Sequence, residues 1–179
     1  MTNDELEALK HPVGRFAKPG RLDAAEREKL IAEFGRLPGE LREAVLGLDD
    51  EQLDTPYRPG GWTVRQVVHH TADTAIQFYT RVKLALTEER PTISPFDQEK
   101  WAELVDSKVY GIGDSLMLLE ALFRRWERLW RTMGEEDFRR EYIHPASGAW
   151  TMDDVLALTV FHTRHHTAQI ASLRRRMGW

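Results

Sequence analysis

Trp62-Thr63-Val64-Arg65-Gln66-Val67-Val68-His69-His70 and Trp150-Thr151-Met152-Asp153-Asp154-Val155-Leu156 open two stretches of this chain in the same way. Each follows a Gly-containing turn, Pro59-Gly60-Gly61 in one case and Ala146-Ser147-Gly148-Ala149 in the other, and each sets a tryptophan before a threonine that can cap a helix. Gln66 and Asp154, three residues beyond the threonines, complete a capping-box pattern in which that side chain returns to the backbone N–H of the cap. The echo predicts two helices of matching role. His70 lies eight residues after Trp62 and His162 twelve after Trp150, an offset of about one helical turn of 3.6 residues.

Outward from these starts, helical periodicity covers about 23–48, 62–88, 112–133 and 150–176. No segment reads as a strand, so the expected fold class is all-α, a four-helix bundle. Leu37-Pro38-Gly39 should kink the first segment or divide it into two helices. The third carries Leu116, Leu119, Leu122, Phe123, Trp126, Leu129 and Trp130, a stripe suited to a bundle core. Glu89 to Gly111 is long for a connection in a compact fold, which predicts a crossover between helices two and three that lets them run in the same direction. His11-Pro12-Val13-Gly14-Arg15-Phe16 is non-helical and should lie across one end of the bundle.

The 179 residues and 41% apolar content suit one domain, 1–179, around one core. No apolar run approaches the roughly 20 residues that span a bilayer, and Met1 to Lys10 lacks the apolar stretch of a secretory signal; a cytoplasmic protein without membrane contact is expected. The 25 basic and 29 acidic residues give −4, with the two signs interspersed, so nucleic acid is not an expected partner. Arg174-Arg175-Arg176 falls where cations favour a helix C-terminus. The absence of cysteine excludes disulfides, Fe–S clusters, thiolate zinc sites and a cysteine nucleophile, leaving imidazole and carboxylate as metal ligands.

Five of the seven histidines form two groups, His69-His70 and His162, His165-His166. His162 and His166 share a helix face with Val155 and Leu173, inside the apolar stripe. Side chains at i and i+4 stand about 5–6 Å apart at Cβ, so both rings can converge on one ion. Alternatively, two core histidines could satisfy each other and the hydroxyls of Thr159 or Thr163. A third histidine on a neighbouring helix favours metal, because three imidazoles plus one open position is the pattern of a catalytic zinc site. Helical phase does not separate His69 from His70. His165 faces the Leu158 side and could support or replace a ligand; Asp73 and Gln169 could orient a ring through its second nitrogen. His11 and His144 occur as His-Pro in loops and are not assigned to the metal. Trp62, Trp101, Trp126, Trp130 and Trp150 are expected mainly in the core.

His11-Pro12-Val13-Gly14-Arg15-Phe16, the run from Thr55-Pro56-Tyr57-Arg58 through His69-His70, and His144-Pro145 with His162-Thr163-Arg164-His165-His166-Thr167-Ala168-Gln169-Ile170 together resemble the DinB superfamily, and most closely its YfiT group, over nearly the whole chain. The resemblance implies a four-helix bundle with a long crossover and one divalent transition metal per chain, zinc first and nickel second. By motif, the ligands it implies are His70, which precedes Thr71-Ala72-Asp73, with His162 and His166. Thr71 departs from the aliphatic residue of many relatives. The resemblance further implies a homodimer and a small-molecule substrate, with activity as a metal-dependent hydrolase or as a transferase of low-molecular-weight thiols, such as bacillithiol, onto electrophiles. The open position would take water for the first reaction and the thiol for the second, whose sulfur must come from a cosubstrate because the chain has none to offer. No carboxylate is tied to the site by spacing, which leans towards thiol transfer and leaves the catalytic proton acceptor unassigned. The alternative is a metal-binding or stress-response protein without turnover.

Overall fold

The computed structural model describes residues 2–179. Among them, in chain order, are α1 (Asn3–Lys10), α2 (Ala24–Val45), α3 (Asp50–Leu53), α4 (Val64–Thr87), α5 (Gln98–Ala102), α6 (Val105–Val109), α7 (Gly113–Thr132), α8 (Glu135–Arg139), β1 (Glu141–His144), β2 (Gly148–Thr151) and α9 (Met152–Met177). The four long helices, α2, α4, α7 and α9, form the bundle. Each packs on two others in the cyclic order α2, α7, α4, α9, so the two helices that carry the clustered histidines are neighbours. None of the described helices is long and apolar enough to cross a membrane.

Both expected capping boxes form. Thr63 Oγ1 accepts from the Gln66 amide at 3.1 Å while Gln66 Oε1 accepts from the Thr63 amide at 3.0 Å. Thr151 and Asp154 make the same exchange at 3.2 Å in both directions. At its other end α9 stops at Gly178, whose φ of 72° lies in the left-handed region glycine tolerates.

Two expectations need correction. Pro38 neither splits nor ends α2, which runs unbroken from Ala24 to Val45. The bond lost at an interior proline costs about 3 kcal/mol, but Phe34, Leu37 and Leu41 around it are wholly buried, and each such burial contributes roughly 1.5–3 kcal/mol. Phe34 stacks on Phe123 of α7 with ring centroids 4.3 Å apart, and tertiary packing of this kind keeps the helix continuous through the site of weak backbone bonding. The fold is also not free of strands. β1 and β2 form an antiparallel hairpin pairing Glu141 with Thr151 and His144 with Gly148, and it leads directly into the cap of α9. Tyr142 anchors the hairpin in the core.

The long crossover contains α5 and α6, both packed on α4. Gln66 Nε2 donates to the Ala102 carbonyl at 2.8 Å, and Arg65 Nη1 to the Tyr110 carbonyl at 3.0 Å. Before α5, the Ile93 amide donates to the Ile143 carbonyl and the Ile143 amide to the Pro91 carbonyl, fixing the crossover to β1. The Arg174 guanidinium donates to the carbonyls of Ala44 and Leu46 at 3.1 Å, capping the end of α2 rather than its own helix.

Candidate metal centre

α4 and α9 bring His70, His162 and His166 together, with one potential ligand atom of each lying within 4.8 Å of the others. His162 Nε2 stands 3.2 Å from His70 Nε2 and 3.2 Å from His166 Nε2. His70 and His166 are buried, and His162 is half-buried. Burial pushes the His70 imidazolium down to about 4. The same cause, followed by the neighbouring imidazoles, holds His162 and His166 well below the usual histidine range. All three are therefore neutral at pH 7, the form that ligates a metal.

The donor set fits a divalent ion. A neutral imidazole offers one donor and one acceptor, so a single N–H on His162 Nε2 serves only one of its two Nε2 neighbours and leaves lone pairs facing one another. A cation would satisfy all three. Metal–nitrogen bonds of about 2.0–2.1 Å at tetrahedral angles place ligand nitrogens about 3.3 Å apart, close to the spacing observed here. Of the hydroxyls nearby, two are engaged with backbone, Thr159 Oγ1 donating to the Val155 carbonyl at 2.7 Å and Thr163 Oγ1 to the Thr159 carbonyl at 3.0 Å, and the third, Thr74 Oγ1, stands 3.4 Å from His70 Nε2 and reaches that one ring alone.

The structure separates the residues that helical phase left together. His69 points to the crossover side, with Nδ1 2.8 Å from Ser115 Oγ and Nε2 3.2 Å from the Tyr110 carbonyl, so both its nitrogens are matched. His165 lies outside the cluster, its Nε2 2.9 Å from Gln169 Nε2. Gln169 does meet a ring of the cluster, with Oε1 2.8 Å from His166 Nδ1. Asp73 does not; its half-buried carboxyl is raised by burial and by Asp106. His144 Nδ1 accepts from the Ala146 amide at 3.1 Å in the hairpin turn. Trp126 and Trp130 are core residues as expected, but Trp62 is not: its ring lies 4.5 Å from that of His70, at the site.

The cluster opens into a cavity of about 830 Å³. Lys10, His11, Arg15 and Phe16 line it from the N-terminal stretch, which lies against α9 with Phe16 and Phe161 ring centroids 5.5 Å apart. Arg58, Gly61 and Trp62 line a second part of it, and Glu99 and Glu103 of the crossover line a third. Trp62 Nε1 donates to Glu99 Oε2 at 3.2 Å. Glu103 is paired with Lys108 at 2.9 Å, which lowers its carboxyl. Arg58 has no carboxylate partner among the described residues: Nε donates to the Tyr57 hydroxyl and Nη1 to the Pro59 carbonyl, each at 3.0 Å. A side chain at Gly61 would place a Cβ 2.7 Å from Arg58 Cγ, so the glycine makes room for this arginine. Arg58 lies in the run that carries the family resemblance but has no role readable from the sequence, and the two glutamates do not stand out there, where charges of both signs are scattered.

The sequence pattern of the DinB superfamily matches residues 33–170. A Bacillus licheniformis protein that carries the name of an inferred metal-dependent hydrolase is 47% identical over 175 residues, covering 97% of this chain and 99% of that protein. A Bacillus mycoides protein of the same description is 45% identical over 174 residues, covering 97% and 100%. The solved structure of YfiT from Bacillus subtilis, described as an inferred metal-dependent hydrolase with an unusual four-helix bundle topology, superposes with a TM-score of 0.94 at 44% identity, covering 96% of this chain and 99% of that one.

Proposed function

This chain belongs to the DinB superfamily, and from that premise we propose that it is a metal-dependent hydrolase acting on a small molecule held over His70, His162 and His166. The observation that carries the reading is the convergence of three neutral imidazoles at a cavity with room for an exogenous ligand. A divalent ion held by these three nitrogens, zinc first and nickel second as the family resemblance implies, would supply Lewis acidity at the remaining position.

The chain's own residues take the other parts. Glu99, delivered to the cavity by α5 and oriented by the Trp62 indole, is the proton acceptor that spacing along the sequence could not reveal. Glu103 is less suited, being held as a carboxylate by Lys108. Arg58, lacking an acidic partner, binds an acidic group of the substrate, and Trp62, Phe16 and Phe161 cover its apolar part.

Transfer of a low-molecular-weight thiol to an electrophile is the second reading, favoured by the cavity's size: at about 830 Å³ it is near the upper end of small-molecule sites and admits two reactants side by side. Tag-free protein loaded with zinc, assayed against ester and amide panels and separately against thiols with an electrophile, should turn over the first set, and His162→Ala should abolish that activity. Turnover of the thiol set alone would select the second reading, and no turnover on either would leave a metal-binding protein. A homodimer belongs with this proposal, supported by the apolar side chains Leu104, Val105, Val109 and Tyr110 in the crossover, each 55–64% exposed. Sedimentation equilibrium would read its mass.

A further inference from the structure

Gln169 is 3% exposed and stands one turn from both His165 and His166 on α9. Its amide makes three contacts: Nε2 lies 3.1 Å from the Lys10 carbonyl oxygen and 2.9 Å from His165 Nε2, and Oε1 lies 2.8 Å from His166 Nδ1. A carbonyl oxygen can only accept, so the atom facing Lys10 is the amide nitrogen and the atom facing His166 is the oxygen. His166 Nδ1 therefore carries a hydrogen and donates it, which leaves the lone pair of His166 on Nε2, aimed at the cluster. The second amide hydrogen meets His165 Nε2 and puts that ring's hydrogen on Nδ1. One side chain thus sets the tautomer of two histidines and holds the backbone at the end of α1.

What it holds is a segment whose other contacts with the rest of the protein are between rings: Phe16 lies 5.5 Å from Phe161 and 6.1 Å from Trp150, and His11 6.0 Å from His165. Among the described residues, α1 buries no side chain. The side-chain polar contacts of Glu5, Lys10, His11 and Arg15 are made within the segment, to Thr2 and Glu7. The Gln169–Lys10 bond is the one hydrogen bond found between residues 2–16 and the bundle. That same segment supplies one wall of the cavity through His11, Arg15 and Phe16.

We propose that Gln169 is a positioning residue that couples this wall to the metal ligands: docking of residues 10–16 orients the amide, the oriented amide turns the His166 lone pair inward, and a bound metal in return holds the wall shut. The proposal rests on the three-histidine reading given above. Because such coupling is reciprocal, metal tightens the segment by the same factor by which the docked segment tightens metal.

The test uses the full chain as wild type, Gln169→Met and Gln169→Glu. Zinc affinity is measured by competition with a chelator, and amide hydrogen exchange across residues 11–16 is measured with and without zinc. In the wild type, zinc should slow exchange in that segment. Gln169→Met removes all three contacts, and should weaken zinc by about 10–100-fold, the usual cost of losing a group that orients a ligand, and make exchange at 11–16 indifferent to zinc. Gln169→Glu keeps an oxygen for His166 Nδ1 but cannot donate to Lys10; it should hold zinc more tightly than Gln169→Met while the segment still exchanges indifferently. Wild-type zinc affinity in Gln169→Met, or zinc-dependent protection of 11–16 in Gln169→Glu, would overturn the coupling while leaving the metal site standing. A wild-type chain that takes up no zinc would overturn both.

Discussion

α9 carries two buried polar clusters of opposite character. In its first turn, Asp153 meets Arg27 of α2: Nε donates to Oδ1 at 2.7 Å, Nη2 donates to Oδ2 at 3.0 Å, Glu135 takes Nη1, and the Leu22 amide donates to Oδ2 at 3.1 Å. Donors face acceptors throughout, and the proximity of Asp153 holds the guanidinium well above its ordinary range. Two to four turns further on, His70, His162 and His166 present like atoms to one another. A buried cluster that closes its own hydrogen bonds holds helices together, whereas one that leaves lone pairs converging is arranged for something from outside.

The contrast can be broken in order of expected effect. His166→Ala should lose stoichiometric metal entirely while keeping its helical circular dichroism, and elemental analysis showing wild-type metal content would place the ligands elsewhere. Asp153→Ala should do the reverse, costing about 3 kcal/mol in urea unfolding because a buried cation is stranded with only half-exposed Glu135, with zinc affinity unchanged. Acidification sharpens the distinction. In the metal-free protein His70 titrates near 4 instead of its ordinary 6.5, so the unfolded chain takes up a proton across that window while the folded one does not. Stability is then full above about pH 6.5 and falls as the pH drops towards 4, by about 2 kcal/mol between pH 7 and 5 from His70 alone. Equal unfolding midpoints at the two pH values would contradict the burial of this ring. Smaller again, Arg58→Ala should raise KM about tenfold for an acidic substrate with kcat nearly kept. Asp73→Asn should change neither metal content nor turnover.

What could be read from the sequence was what neighbours along the chain decide. Thr63 with Gln66 and Thr151 with Asp154 announce helix starts because the bonds span three residues, and His162 with His166 share a face because they are one turn apart. The errors were set by distant contacts. α2 survives Pro38 because Phe34 stacks on Phe123, nearly ninety residues away. The hairpin's four-residue strands are too short to show alternation, and their position is fixed by Pro91 and Ile93 across the crossover. Both His69 and His70 are buried, so only Ser115 of α7 and the Tyr110 carbonyl of the crossover reveal which one is already satisfied. The cavity wall is hidden for the same reason, since Lys10, Arg58 and Glu99 share no local pattern and meet only in the folded chain.

Trp62 gives the protein an optical gauge of its own. Its indole leans over the His70 ring and shares its N–H with a carboxylate on the opposite rim, so a change at either partner alters the light it emits. Trp126 and Trp130, sealed in the core, provide a steady background, and once Trp101, Trp150 and Trp179 are replaced by phenylalanine, titration of the site could be followed by emission alone without attaching a dye.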